Sequence, residues 1–161
     1  MKIIKLLLLL AFGLWADFKL DVPNDVNAFL GAQSVKKQFL IAKSTKSYKE
    51  SKQFATNLAK KTGIRLNFRG LSYNKSIMLS ESKKVCDDNN FEYPCYAARG
   101  RYDDGIYISI EHSGVYENFS NGYYIVMVAS GKEATGILKQ IKIVVKDAYI
   151  KTSKVYMGCM H

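Results

Sequence analysis

The chain has 161 residues, 48% of them hydrophobic, and a formal net charge of +10. This length is typical of a single domain whose hydrophobic core is large enough to fold without disulfide bonds or structural metal ions. The sequence contains no Gly-rich phosphate loop, serine elbow or metal-binding motif, which argues against those classes of enzyme.

The N-terminus has the pattern of a secretory signal. Lys2 and Lys5 precede an uncharged apolar run, 6–14, and Ala16 is a small residue suited to the position before cleavage. The run is shorter than the roughly 20 residues that a membrane-spanning helix needs, and no Cys follows it that would indicate a lipoprotein. The sequence therefore predicts a cleaved signal peptide over residues 1–16. An uncleaved anchor or a buried N-terminal helix is the alternative.

Export places the rest of the chain in the periplasm, or outside the cell if it is secreted. Residues 1–16 hold two Lys and no acidic residue, so a net charge of +8 remains. A basic protein in that compartment favours anionic envelope components over nucleic acid as partners. No second long apolar segment follows, so we expect no transmembrane segment after signal removal.

The three cysteines are Cys86, Cys95 and Cys159. Exported chains form disulfides, and Cys86 and Cys95 enclose a short loop rich in turn-forming residues, so this pair is preferred. Cys159 is then an unpaired thiol or an intermolecular link, although its pairing with either of the others stays open. A zinc site would need His112 or His161, and no CxxC or HxxxH spacing supports one.

The first half of the chain predicts a strand, a helix and a second strand. Residues 36–44 form a short apolar strand pattern. Ser47 and Glu50 make a capping box for a helix that Gly63 ends. Residues 64–73 then alternate between apolar and polar side chains, which indicates a half-buried strand.

The later part of the chain repeats this order after a segment of different character. That segment includes a short helix near Ser80–Asp88 and an alternating strand, Ile106–His112. Residues 123–130 then form an apolar run of strand length. A weaker helix over 131–142 and a final strand within 143–157 complete the pattern.

These patterns predict an α+β fold of the ferredoxin-like type, with a doubled βαβ unit and two helices on one face of an antiparallel sheet. Residues 17–34 are a lead-in, and 35–161 form the domain. An insertion of about 50 residues, 75–122, separates the two halves. The sheet face away from the helices is left open unless the insertion covers it.

Both halves resemble a sporulation-related repeat (SPOR) domain. In the first half, Phe39–Thr45 precedes a helix containing Phe54 and Leu58 and then Gly63-Ile64. The second half, Tyr124–Ser130 followed by 131–142 and Lys146–Ile150, is the better match, because family members commonly end in an Asp-Ala-Tyr-Val type segment. The resemblance covers about 35 residues in each half.

The resemblance implies a non-catalytic periplasmic domain of a bacterial envelope protein. Family members bind peptidoglycan glycan strands that lack stem peptides, and they do so on the open sheet face. The residues expected to contact glycan here are Lys43, Ser44, Arg65, Asn67 and Tyr124.

A second hypothesis is a structural or protein-binding subunit of an envelope assembly. Most of the tyrosines lie in the predicted insertion or at its end, and aromatic rings beside arginines make sugar- or protein-binding surfaces. The predicted interface residues are Tyr96, Arg99, Arg101 and Tyr102. Ordinary packing of the insertion against the sheet is the competing explanation.

A cell-wall hydrolase is the third hypothesis. His112 could act as a base beside Cys86 or Cys95, and the carboxylate pairs Glu111 with Glu117 or Asp103 with Asp104 could form a glycosidase site. A structural disulfide and an Asp-Asp-Gly turn explain the same residues more simply. The sequence therefore predicts a binding protein without catalytic activity, cofactor or metal.

Overall fold

The computed structural model describes residues 33–158. The predicted signal peptide, nearly all of the lead-in, Cys159 and His161 lie outside the described residues. The described elements, in chain order, are β1 (Ser34–Thr45), α1 (Tyr48–Thr62), β2 (Ser72–Asn74), β3 (Met78–Ser80), α2 (Lys83–Asp88), β4 (Gly105–His112), a 3-10 turn (Ser113–Val115), β5 (Tyr124–Ser130), α3 (Glu133–Gly136), α4 (Leu138–Val144) and β6 (Tyr149–Tyr156).

Four of these strands form one sheet in the order β4-β5-β1-β6, and every neighbouring pair is antiparallel. The short strands β2 and β3 pair with each other in a separate hairpin. The prediction of a mixed α+β fold with an antiparallel sheet is confirmed. Within the described part of the chain, no helix combines the length and apolar character needed to cross a membrane.

The central strand β1 places apolar side chains on both faces of the sheet. Leu40 and Ala42 pack with the helices, whereas Phe39 and Ile41 pack on the opposite face. Because successive side chains of a strand point to opposite faces, a continuous apolar run is what a strand buried on both sides requires. The same reasoning accounts for β5, in which every residue is buried.

Helix α1 begins and ends where the sequence predicts. The Oγ of Ser47 accepts a hydrogen bond from the backbone N–H of Glu50 at 3.3 Å. Gly63 adopts a left-handed conformation with φ of 71°, which glycine reaches without steric cost. The Glu50 side chain forms an ion pair with Lys43 at 2.8 Å. α1, α3 and α4 bury their apolar side chains in the same core cluster.

Residues 64–73 do not form the predicted strand. Leu66 makes a single parallel bridge to Ile108, after which Arg69 and Gly70 turn the chain with φ of 60° and 73°. Left-handed residues end strand pairing, so the apolar alternation stops short of a ladder. The edge position beside β5 is taken by β4, which lies within the predicted insertion.

The sheet face opposite the helices is buried. Phe39, Ile41, Ile125 and Met127 on that face have no solvent exposure. Ala98 from the segment before β4, together with Tyr116 and Phe119 from the segment after it, packs against them. The part of the chain predicted as an insertion therefore covers the second face.

Candidate functional site

Arg99 attaches the segment before β4 to the sheet. Its side chain is fully buried, and its guanidinium carbon lies 3.6 Å from the centre of the Tyr107 ring. Nη1 donates to the Tyr107 carbonyl oxygen at 3.0 Å and to Ser109 Oγ at 2.9 Å. Nη2 donates to the Gly105 carbonyl oxygen at 3.0 Å. A buried charge is tolerable only when such partners replace water.

One of these acceptors, Tyr107, lies inside a β-bulge. The pairing of β4 with β5 shifts between Ile106 and Ser109. Inside the shift, Ile108 donates to the Arg65 carbonyl oxygen and accepts from the Asn67 N–H, each at 2.8 Å. A bulge leaves backbone groups outside the regular ladder, and Arg99 binds one of them, the carbonyl oxygen of Tyr107.

A second buried charge, Glu111, lies on the same face of β4. Its Oε2 is 2.8 Å from Arg69 Nη1 and accepts a hydrogen bond from the Tyr96 hydroxyl at 2.5 Å. Arg69 Nη2 donates to the Ala97 carbonyl oxygen at 2.9 Å, and Arg69 Nε lies 3.5 Å from Asp103. Arg69 therefore joins β4 to the segment that covers the sheet.

A cleft of about 1170 Å³ opens above this cluster, between the disulfide-closed segment and the end of β6. Cys86 and Cys95 form the predicted disulfide, with their Cα atoms 5.8 Å apart. This bond closes the wall that carries Phe91. The apolar and aromatic residues that line the cleft include Val85, Phe91, Tyr96, Tyr102 and Met157.

Two arginines and two glutamates supply the charges of the cleft. Arg101 is nearly buried and donates to the carbonyl oxygens of Tyr156 and Gly158, and Arg69 is occupied by the contacts given above. Glu81 and Glu92 form no salt bridge among the described residues. The cleft thus presents apolar walls and two carboxylates that form no salt bridge among the described residues. Such a surface suits a ligand that carries apolar side chains together with a basic group.

Burial sets the protonation states in and below the cleft. It raises the pKa of Tyr96 well above its ordinary value, and the negative charge of Glu111 raises it further. Tyr96 therefore keeps its proton and stays a hydrogen-bond donor at neutral pH. Burial also raises the pKa of Glu81, against the opposing charge of Arg69, and lowers the pKa of Arg99.

The five predicted glycan contacts do not share a surface. Tyr124 is buried in the core on the helix side, and Lys43 is bound to a carboxylate of α1. Arg65 and Asn67 lie beside β4 at one edge of the sheet. Ser44 is exposed near the end of β1, away from that edge.

Three of the four predicted interface residues line the cleft, namely Tyr96, Arg101 and Tyr102. Tyr102 is 73% exposed. Arg99 is fully buried, which corrects its assignment to an interface, because its guanidinium binds the backbone carbonyls of Tyr107 and Gly105. Sequence reasoning missed Arg69 and the cleft residues of the disulfide loop, although the predicted Cys86–Cys95 pair encloses Phe91 and Glu92.

The groups considered for hydrolysis have other contacts. Both cysteines considered as partners of His112 are in the disulfide, and Glu111 is bound by Arg69 and Tyr96. The Asp103 carboxylate accepts from the Tyr107 hydroxyl, and Asp104 lies 2.5 Å from Lys37. Within residues 33–158, no group of three or more His, Cys, Asp or Glu side chains is arranged to hold a metal ion.

The sequence matches no protein-family model. Comparisons with curated proteins and with solved structures return no match either.

Proposed function

We propose that this chain is an exported, non-catalytic protein of the bacterial envelope that binds a partner protein in the cleft. The observation that carries the proposal is the cleft itself, which combines the exposed ring of Tyr102 and the half-buried ring of Phe91 with the carboxylates of Glu81 and Glu92. Tyr102 and Phe91 provide large, rigid contact area of the kind that dominates binding interfaces. The partner segment carries apolar side chains and a basic residue.

The sheet order supports a doubled βαβ layout for this domain. β1, α1 and β4 form one strand–helix–strand unit, and β5, α3–α4 and β6 form the second. Their strands interleave in the order β4-β5-β1-β6, as expected of a split βαβ pair. A SPOR-like ancestry is compatible with that order. Glycan binding on the sheet is less well supported, because residues of the would-be insertion occupy the face that it requires.

In-cell photo-crosslinking tests the proposal. A photoreactive phenylalanine analogue replaces Tyr102 at the cleft or, as the matched control, Tyr149, which is 43% exposed. Tyr149 begins β6 and Tyr156 at the cleft ends it, so the control lies about 23 Å away. We expect one envelope protein to be captured from position 102 and not from position 149. Equal capture from both positions, or none from position 102, would overturn the proposal.

A binding assay with purified sacculi separates the glycan alternative. If glycan is the ligand, amidase treatment that strips the stem peptides increases retention of the protein. We expect the cleft protein to show no retention on the denuded glycan. Retention that Tyr102→Ala abolishes would instead assign the cleft to glycan.

A further inference from the structure

The outer surface of α1 and α4, which we call the lysine face, combines positive charge with an exposed apolar side chain. In α4, Ile141 is fully buried against the sheet. Lys139 and Ile143 are spaced i and i+4, so they share the opposite side of the helix, and Lys146 lies in the turn that follows α4. All three are exposed.

Ile143 is 83% exposed, more than any other large hydrophobic side chain in the described part of the chain. Val144 beside it is 40% exposed. Single exposed apolar residues are common on protein surfaces. An isoleucine with so large an exposed fraction among several lysines is less common. It gives the lysine face an apolar contact point.

Helix α1 extends the positive charge, since it packs beside α4 on the same face of the sheet. Its exposed lysines include Lys49, Lys60 and Lys61. Among residues 33–158, no carboxylate lies within ion-pair distance of these three lysines or of Lys139, Lys142 and Lys146. The nearby acidic residues are at the margins, where Glu50 pairs with Lys43, Glu133 begins α3 and Asp147 follows α4.

We propose that the lysine face docks on an anionic lipid bilayer, with its lysines among the phosphate headgroups and Ile143 in the interfacial layer. Basic residues near an anionic membrane each add to binding, and an apolar side chain in the same plane adds to it again. The charged groups are lysines without arginine, and lysine is depleted at protein interfaces. The lysine face therefore fits a lipid surface better than an acidic protein. This inference is independent of the cleft.

Vesicle co-sedimentation tests the charge. The protein begins at Asp17, the exported form, because the apolar run 6–14 would itself bind lipid. We expect it to bind phosphatidylcholine vesicles only when phosphatidylglycerol is included, and to be released as salt is added. Replacing both Lys139 and Lys146 with Gln should weaken binding about thirtyfold.

The matched charge control replaces Lys83 and Lys84 with Gln. These lysines pair with Asp87 and Asp88 on α2, away from the lysine face. The double variant loses the same two charges, and its vesicle binding should be unchanged. Equal losses in the two double variants would mean that net charge alone drives binding, and the assigned surface would then be wrong.

Two changes at position 143 test the apolar contact. Ile143→Ser should weaken vesicle binding about tenfold, whereas Val115→Ser, at a residue 41% exposed elsewhere, should not. The chain from Asp17 contains no Trp, because the sole Trp is Trp15. The emission of Ile143→Trp should therefore shift to shorter wavelength when anionic vesicles are added.

Three results would overturn the membrane proposal. The first is that the folded protein, verified by circular dichroism, does not bind anionic vesicles at low salt. The second is that the emission of Ile143→Trp does not shift while the protein is bound. The third is binding to soluble polyphosphate as strong as to vesicles and insensitive to Ile143→Ser, which would identify a polyanion site instead.

Discussion

Both faces of the four-stranded sheet are buried, but different kinds of structure cover them. On one face, α1 and α4 contribute apolar side chains to a continuous core. On the other face, irregular segments contribute a small apolar cluster and a set of buried polar side chains around Arg99 and Glu111. The first face is held mainly by the non-directional hydrophobic effect, and the second depends also on directed hydrogen bonds and ion pairs.

The two faces should therefore respond differently to mutation. Removal of an apolar side chain leaves a cavity whose cost varies with how far the surroundings relax. Removal of one member of a buried polar cluster leaves its partners without hydrogen bonds, and they cannot recover water. The cleft lies above the polar cluster, so the stability of that face also governs the proposed binding surface.

The largest effect is expected at Arg99. Arg99→Ala strands the carbonyl oxygens of Tyr107 and Gly105, so the free energy of unfolding should fall by about 3–5 kcal/mol. Arg65 provides the control, because it lies over the same Tyr107 ring at 5.6 Å but is exposed. Arg65→Ala should cost only about 0.5–1 kcal/mol. Urea unfolding measures both, and similar losses in the two variants would contradict an anchoring role for Arg99.

The next effect concerns the disulfide that closes the cleft wall. Replacing Cys86 and Cys95 together with Ser removes the constraint on a loop of about ten residues, which should cost about 2.5 kcal/mol. The double replacement avoids a free thiol. Urea unfolding should show the loss, while far-ultraviolet circular dichroism should show that the sheet remains. A disulfide-free protein as stable as the wild type would show that the wall does not fold cooperatively with the sheet.

A smaller effect compares two equivalent helix caps. Ser47 and Ser82 each accept an N–H three residues later at 3.3 Å, but α1 packs on the sheet and α2 is a short peripheral helix. Ser47→Ala should lower the free energy of unfolding by about 1 kcal/mol. Ser82→Ala should lower it by about 0.5 kcal/mol, because fraying of α2 stays local. Equal losses in thermal unfolding would show that α2 belongs to the same cooperative unit as α1.

Sequence patterns predicted the helix side well because its signals are local. Ser47, Glu50 and Gly63 mark the ends of α1 within a few residues of where the apolar period starts and stops. The apolar run of β5 is short and continuous, which is typical of a buried strand. The disulfide was predictable too, since Cys86 and Cys95 lie close in the chain around turn-forming residues.

The polar side of the sheet could not be predicted in the same way. The Tyr107 carbonyl oxygen that Arg99 binds lies inside the bulge of β4, and no local sequence pattern predicts that bulge. Residues 64–73 alternate as a strand does, yet the left-handed turn at Arg69 ends their pairing after one bridge. One signal was available. Alternation in Ile106–His112 puts Tyr107, Ser109 and Glu111 on the face opposite the isoleucines. Three polar side chains on that face indicate that polar groups of another segment pack against it.

The smallest effect is a pH dependence at His112, where β4 ends beside the polar cluster. Burial lowers the pKa of His112 below its ordinary value of 6.5, although a hydrogen bond with Asn121 opposes the shift. The folded state therefore favours the neutral ring, whereas the unfolded chain takes up a proton near pH 6.5.

The sign of this effect follows from proton binding. Below about pH 6.5 the unfolded state binds more protons than the folded state, so the free energy of unfolding falls as the pH falls toward the lower folded pKa. His112→Gln removes this contribution and should flatten urea-unfolding stability between about pH 7 and pH 5. Glu81 cannot produce the same fall in stability. Because its pKa is raised in the folded state, it stabilises the folded state as the pH falls. If the free energy of unfolding of His112→Gln depends on pH as the wild type's does, the imidazole is solvated in the folded protein. The segment that covers the sheet would then leave the end of β4 open to solvent.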